Sequence, residues 1–472
     1  MMYLLSIPEF GRIARARVDE IPEPLGASHQ VLSERHWRRL RRYDMAWRAK
    51  TNNSAGLFDW SPDEQTARAR GFVGVLELGD LVIELLPKIE AERLDYEELH
   101  CHRRNLLVML NLAGKLKLYP HEIAHQSTGS APISEVLKAL FARELFDVLS
   151  QNLQHAYIRV EESRPTLKGK LRFSRQIARY GGRADRFEVI HTMYDVDTPL
   201  NRLLKGVCVW LIHHTHSRST IDLLHQSLHL LGEVQERRPS PEMFSTLYLS
   251  RQEESFARVI EIAKLLLSQR VSEARAGQDR TFSFLFEMHA LYESFVAGLL
   301  RKHMIGDQLP QGRLILQGGQ PKENLLFKRI DNTNTKPIPN IPPNPNSSQT
   351  LPSTTHEPAL ELKPDLIFET NTNRIILDTK WKRLENDKIR HGIPASDVYQ
   401  MLAYSVIYSC PRAVLIYPKH THKQETPPIY DAPFATPDGL FMLRVCLLDL
   451  SKDLTIPQHL QELVSSLAKF LR

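Results

Sequence analysis

Two aspartates and a lysine between Leu360 and Arg383, in LELKPDLIFETNTNRIILDTKWKR, have the types and spacing to work on a phosphate ester with a divalent cation. The stretch reads as two strands joined by an Asn-rich turn. Residues two apart on a strand share a face, so Asp378 and Lys380 project together. A two-residue loop at Asn371-Thr372 pairs 370 with 373, 369 with 374 and, continuing, 365 with 378, whereas a three-residue loop with a bulge shifts that register by one. Cross-strand partners lie about 4.5–5.5 Å apart at Cβ, close enough for two carboxylates to grip one ion. Carboxylate oxygens suit Mg²⁺. Such an ion lowers the pKa of a bound water and stabilises charge on a phosphoryl oxygen. The Lys380 ammonium positions that water or stabilises the same charge. Like charges opposed across a hairpin are destabilising, so a purely structural role for Asp365 facing Asp378 requires one of them to face solvent. The D…DxK pattern by itself is short and degenerate.

The surrounding elements form a frame for these residues. From residue 281 the order is helix, three strands, helix, two strands, helix, which implies a mixed sheet covered on both faces. The first helix, FSFLFEMHALYESFVAGLLRKH, has an apolar face of Phe284, Met288, Leu291, Phe295 and Leu299. Its acids Glu287 and Glu293 cannot share a face, since six residues turn a helix by about 240° from alignment. Arg313–Gln317, 413–418 and 440–450 read as strands, and Ile456–Leu471 as a closing helix. On the helix 396–409, Gln400 and Tyr404 lie one turn apart on one side. Lys382 falls on the Lys380 side of its strand, where a phosphate contact and simple solvation are both open. Residues 331–358 carry seven prolines and few large apolar residues, the composition of a disordered insertion.

The rest of the chain is less specific. Its 472 residues allow two or three domains, and 42% hydrophobic with 25% charged residues are ordinary for a soluble globular protein. A net charge of +6 and a pI near 9.0 permit an anionic partner. Four scattered cysteines exclude a disulfide scaffold or zinc ribbon and fit a reducing cytosol, so a cytoplasmic location is expected. No signal peptide or membrane span is read. Tyr3–Ala16 reads as a strand and 71–89 as a hairpin turning at Gly79-Asp80. Between them, 33–50 reads as a helix with Ser33 as its N-cap and seven Lys or Arg side chains from Arg35 to Lys50. That basic face either meets an anionic partner or is simply solvated while Trp37 and Leu40 pack. Residues 95–165 read as helical, with 133–153 capped by Ser134. A second basic cluster runs from Lys168 to Arg186, followed by a strand at FEVIHTMY and a helix from Thr198. The histidines from His213 to His229 lack the convergence a zinc site needs.

Taken together, PD…DxK on adjacent strands, an acidic helix before them and QxxxY after them resemble the PD-(D/E)xK nuclease superfamily. LYESFV, LKPDLIFE, ILDTKWK and DVYQMLAYS resemble the McrC family more narrowly, with GFVGVLELGDLVIELLPKI, TLKGKLRFSRQI and DTPLNRLLK as further landmarks. The resemblance implies an α/β restriction-endonuclease-like domain at 279–472, a mixed sheet flanked by helices, behind an α+β N-terminal half. That half divides into a β-rich, partner-docking region at 1–95 and a mainly helical region at 96–278. It implies that Asp365, Asp378 and Glu293 hold Mg²⁺, that Lys380 is the catalytic lysine, and that Gln400 and Tyr404 support the site. It further implies a DNA endonuclease that works with an McrB-like AAA+ GTPase ring on double-stranded DNA carrying modified cytosine. An adaptor with an inactive nuclease fold, or a stand-alone nuclease, are the alternative readings. The chain has no GxxxxGK[ST] loop, so nucleotide hydrolysis belongs to the partner.

Overall fold

Gly79 turns with a φ of 66°, and the runs either side of it, Phe72–Leu78 and Leu81–Leu86, pair antiparallel as the sequence predicts. Every residue of both arms is buried, which explains why they carry continuous Val, Ile and Leu instead of an alternating pattern. The computed structural model describes residues 3–16, 29–51, 55–87, 96–118, 132–181, 183, 185–268, 281–304, 312–316, 324–329, 356–361, 363–370, 373–382, 384, 392–419, 429–436 and 439–471. Most of the insertion expected at 331–358 lies outside these residues.

The chain forms two units, one of Met1–Leu86 with Thr128–Phe286 and one of Pro87–Ser127 with Glu287–Arg472. These do not follow the boundaries expected at 95 and 278. The reason lies in two segments. Thr281–Glu287, read from sequence as the start of a helix, is a strand on the edge of the first unit's sheet, in the order 3–8, 81–86, 72–78, 281–287. Tyr96–Leu112 packs instead against the helix that follows that strand. Gly74 permits the strand pairing: its φ is 128°, and a Cβ there would lie 1.9 Å from the Phe284 carbonyl oxygen.

Within the first unit, helix Glu34–Thr51 buries Trp37, Leu40 and Tyr43 against Leu5, Ile7 and Ile83, and Ser33 Oγ accepts from His36 N at 3.4 Å. Tyr3–Ala16 is two strands, Tyr3–Pro8 and Arg12–Arg15, broken where Phe10 takes a φ of 62°. Ser134 does not cap its helix: Pro132 occupies the cap position and Ser134 is buried in the first turn. The region 96–278 is not wholly helical, because Ala156–Arg164, Lys170–Leu171 and Phe187–Asp195 build a three-stranded antiparallel sheet.

In the second unit we label α1 (Tyr96–Leu112), α2 (Met288–Met304), β1 (Arg313–Leu316), β2 (Leu366–Glu369), β3 (Arg374–Thr379), α3 (Ala395–Ile407), β4 (Arg412–Lys419), β5 (Ile429–Thr436), β6 (Gly439–Asp449) and α4 (Pro457–Leu471). Residues 324–329 and 356–361 pair as a separate two-stranded sheet. The main sheet has the order β1-β2-β3-β4-β6-β5, with β3, β4 and β6 mutually parallel and the rest antiparallel. Ile367, Ile376, Leu415 and Val445 from one face of that sheet share a core with Met401 and Tyr404 of α3. Helices α2 and α4 pack on β3 and β6 respectively and on each other. No helix among the described residues is long and apolar enough to cross a membrane.

Helices α1 and α2 approach to backbone contact at Gly298, where an added Cβ would sit 1.8 Å from the Leu112 carbonyl oxygen. Gly298→Ala is therefore expected to force the helices apart and destabilise the unit by about 1–3 kcal/mol, in the range of overpacked cores. The urea midpoint should fall accordingly, and an unchanged midpoint would show that this contact is soft.

Candidate active site

The expected hairpin register forms. Leu366 pairs with Leu377 and Glu369 with Arg374, while Thr370 N donates to Asn373 O at 2.8 Å across the turn. One further step of that ladder sets Asp365 opposite Asp378. Because Ile367 and Ile376 lie in the core beneath α3, strand alternation puts Asp365, Asp378, Lys380 and Lys382 on the α3 face. The group gathers at the carboxyl end of β3, which is parallel to β4, the end of an open α/β sheet where ligands bind.

Each side chain is held from its neighbours. Asp365 Oδ2 accepts from the Thr379 backbone N at 2.8 Å and from its hydroxyl at 2.7 Å. Asp378 is 1% exposed, and its Oδ2 lies 2.6 Å from Lys380 Nζ. That oxygen is buried, and the Lys380 ammonium is the charge that faces it. Lys380 Nζ donates to Gln400 Oε1 at 2.9 Å, Gln400 Nε2 donates to the Tyr404 hydroxyl at 2.8 Å, and Tyr404 donates to Lys363 O at 3.1 Å. The structure thus brings Asp365, Asp378, Lys380, Gln400 and Tyr404 into one network.

Burial, reinforced by the negative charge of Asp365, pushes the Asp378 carboxyl up to about 7 against the opposing pull of Lys380. Burial and the charge of Asp378 likewise push the Tyr404 phenol up to about 12. Two carboxylates against one ammonium leave a formal negative charge at a buried place. A divalent cation is the natural complement of that charge, so Asp365 and Asp378 fit a Mg²⁺ site. Glu293 is half-buried on α2. The ring of its neighbour Tyr292 lies 5.1 Å from that of Trp381, tilted by 59°. Among the described residues no three His, Cys, Asp or Glu side chains are grouped closely enough to hold one ion. Glu287, the other acid of this segment, ends its strand and lies 3.4 Å from His289.

Sequence reasoning missed Asp397. It is 4% exposed, lies on α3, and receives the Tyr417 hydroxyl of β4 and the Lys382 ammonium at 2.7 Å. Lys382 is therefore neither simply solvated nor free. The available signal was the spacing, because three residues before Gln400 is the same helix face.

The second unit is thus a mixed-sheet α/β domain organised around a buried aspartate pair and a lysine at one sheet end. The family model described as McrBC 5-methylcytosine restriction system component matches residues 67–418, and the chain belongs to that family. It is 24% identical over 208 residues to the type IV methyl-directed restriction enzyme EcoKMcrBC of Escherichia coli (strain K12), a stretch covering 43% of this chain and 59% of that relative. A chain of the refined half-complex from the tetradecameric assembly of Thermococcus gammatolerans McrB AAA+ hexamers with bound McrC has the same fold, with a TM-score of 0.64 at 19% identity over 98% of this chain and 100% of that one. A chain of the cryo-EM structure of the Thermococcus gammatolerans McrBC complex matches with a TM-score of 0.49 at 20% identity over 64% of this chain and 88% of that one.

A folded Asp378 that titrates at about 7 against an ordinary 3.8 binds its proton more tightly than the unfolded chain does. The stability from that proton is complete below about pH 4 and is lost as the pH rises through 7. Asp378→Asn is expected to stabilise the metal-free protein above pH 7 by on the order of a few kcal/mol, seen as a higher melting temperature, and to leave its stability unchanged near pH 4. Melts across that range test this, and a difference independent of pH would refute the buried-acid account.

Proposed function

We propose that this chain is the Mg²⁺-dependent DNA endonuclease subunit of a GTP-dependent restriction complex directed at modified cytosine. The observation that carries the reading is the convergence of Asp365, Asp378 and Lys380 at one sheet end, with Asp378 almost wholly buried beside a second carboxylate and a single ammonium. In the reaction a water oxygen forms a bond to phosphorus while the bond to the leaving sugar oxygen breaks. The water gives up a proton and the leaving oxygen gains one. Mg²⁺ held by Asp365 and Asp378 would supply charge stabilisation at the phosphoryl oxygens. Lys380, clamped between Asp378 and Gln400, orients the attacking water or neutralises the charge that develops in the transition state. The Gln400–Tyr404 pair limits the ammonium to a narrow set of positions, as pre-organised catalysis requires.

The partner in this reading is an AAA+ GTPase ring, in keeping with the Thermococcus gammatolerans assembly of McrB AAA+ hexamers with bound McrC, and recognition of the modified base belongs to that partner. Absence of a GxxxxGK[ST] loop from the sequence supports this division of labour. The helix with seven basic side chains from Arg35 to Lys50 is in part tied internally. Arg39 bonds to Leu78 O at 2.9 Å, and Arg48 to Asp44 at 2.9 Å.

The test is reconstitution: the chain copurified with the product of its neighbouring gene, given methylated plasmid, GTP and Mg²⁺. Asp378→Ala and Lys380→Ala are expected to lower cleavage by at least about a hundredfold, the scale on which removing one oriented charge-stabilising group acts. Both variants should keep GTPase stimulation and complex formation. Undiminished cleavage by either one would remove the site assignment, and loss of GTPase stimulation would point to misfolding instead.

A further inference from the structure

We infer that Lys382 is a second phosphate-binding lysine, contacting a backbone phosphate beside the one at Lys380, and that Asp397 is its positioning residue. The inference rests on the nuclease reading of the same site. Its basis is geometric. Lys382 Nζ lies 2.7 Å from both carboxylate oxygens of Asp397. Asp397 is itself fixed, accepting from the Tyr417 hydroxyl and, at 3.4 Å, from Ser396 Oγ.

The two ends of the pair differ in exposure. The Asp397 side chain is 5% exposed and that of Lys382 is 40%, against 20% for Lys380. The pair therefore adds no net charge to the site but turns its positive end outward. An ammonium has three N–H donors. One is given to Asp397 Oδ1, and the 40% exposure of the side chain leaves the ammonium open to a phosphate from the solvent side. Lys380 and Lys382 lie just past the end of β3, and each is held from α3, Lys380 by Gln400 and Lys382 by Asp397. Their holders, Gln400 and Asp397, are three residues apart on α3, about 4.5 Å along the helix. One helix face thus tethers both lysines in a row, a spacing suited to successive phosphates of one strand. A surface lysine without this tether would give up more side-chain entropy on meeting a phosphate.

The experiment measures binding of the full-length chain to an unmodified 30-bp duplex by fluorescence anisotropy, without divalent cation, over a series of KCl concentrations. Lys382→Gln should weaken Kd about 5–10-fold at 0.1 M salt and lower the slope of log K against log[salt] by about 1, the signature of one lost phosphate contact. Lys382→Arg should restore most of both. Asp397→Asn separates positioning from plain electrostatics. Removing a negative charge beside DNA would by itself tighten binding, whereas loss of the tether weakens it several-fold. Adding Lys382→Gln to Asp397→Asn should then cost almost nothing further, as for two residues acting through one contact. In the cleavage assay Lys382→Gln should raise KM more than it lowers kcat. An unchanged salt slope in Lys382→Gln, or tighter binding by Asp397→Asn, would overturn the inference. These slopes are read without cleavage, so a finding that Asp378→Ala still cuts DNA would defeat the nuclease assignment and leave the phosphate subsite standing.

Discussion

A carboxylate that is almost wholly removed from water, beside a second carboxylate and only one ammonium, constrains the second unit. Isolated buried charges are tolerated only when paired or bound to a cation. Asp378 is one such group, and the chain around it is arranged to limit its cost. Lys380 is held against it, Thr379 takes up the charge of Asp365, and the parallel pairing of β3 with β4 holds the acid at the strand's end. The rest of the unit keeps that strand end in place. Helix α3 covers one face, and α2 and α4 are packed on β3 and β6.

The hairpin was legible in the sequence because an Asn-rich turn of fixed length sets the register of everything that follows it. Once Thr370 faces Asn373, Asp365 must come to Asp378. Helical spacing likewise made Gln400 and Tyr404 neighbours before any coordinates, and the structure joins them by a hydrogen bond. These are local relations, decided within a few residues.

What could not be read depended on distant partners. FSFLFE has the apolar content of a helix face, but it extends because Gly74 lets its backbone lie against a neighbouring strand far away in the chain. Phe10 adopts a left-handed turn that no propensity anticipates and splits a strand in two. Ser134 has the composition of a cap, yet the preceding proline takes that position. Asp397 looked like an ordinary first-turn acid on α3. Its importance lies in Tyr417 and Lys382, twenty residues after it and fifteen before it, which meet it only once the sheet has formed.

The hydrogen bonds that leave Lys380 through Gln400 and Tyr404 end on the carbonyl of Lys363, two positions before Asp365. Asp365 is in turn fastened to Thr379, the immediate neighbour of both Asp378 and Lys380. The path closes on itself, so the centre has no loose end. No member can drift without stretching a link on either side, and a single broken link leaves an open string still anchored at its two ends. Such a circuit is mechanically stiff without depending on any one bond, so the spacing of its two carboxylates and one ammonium survives the opening of a single link.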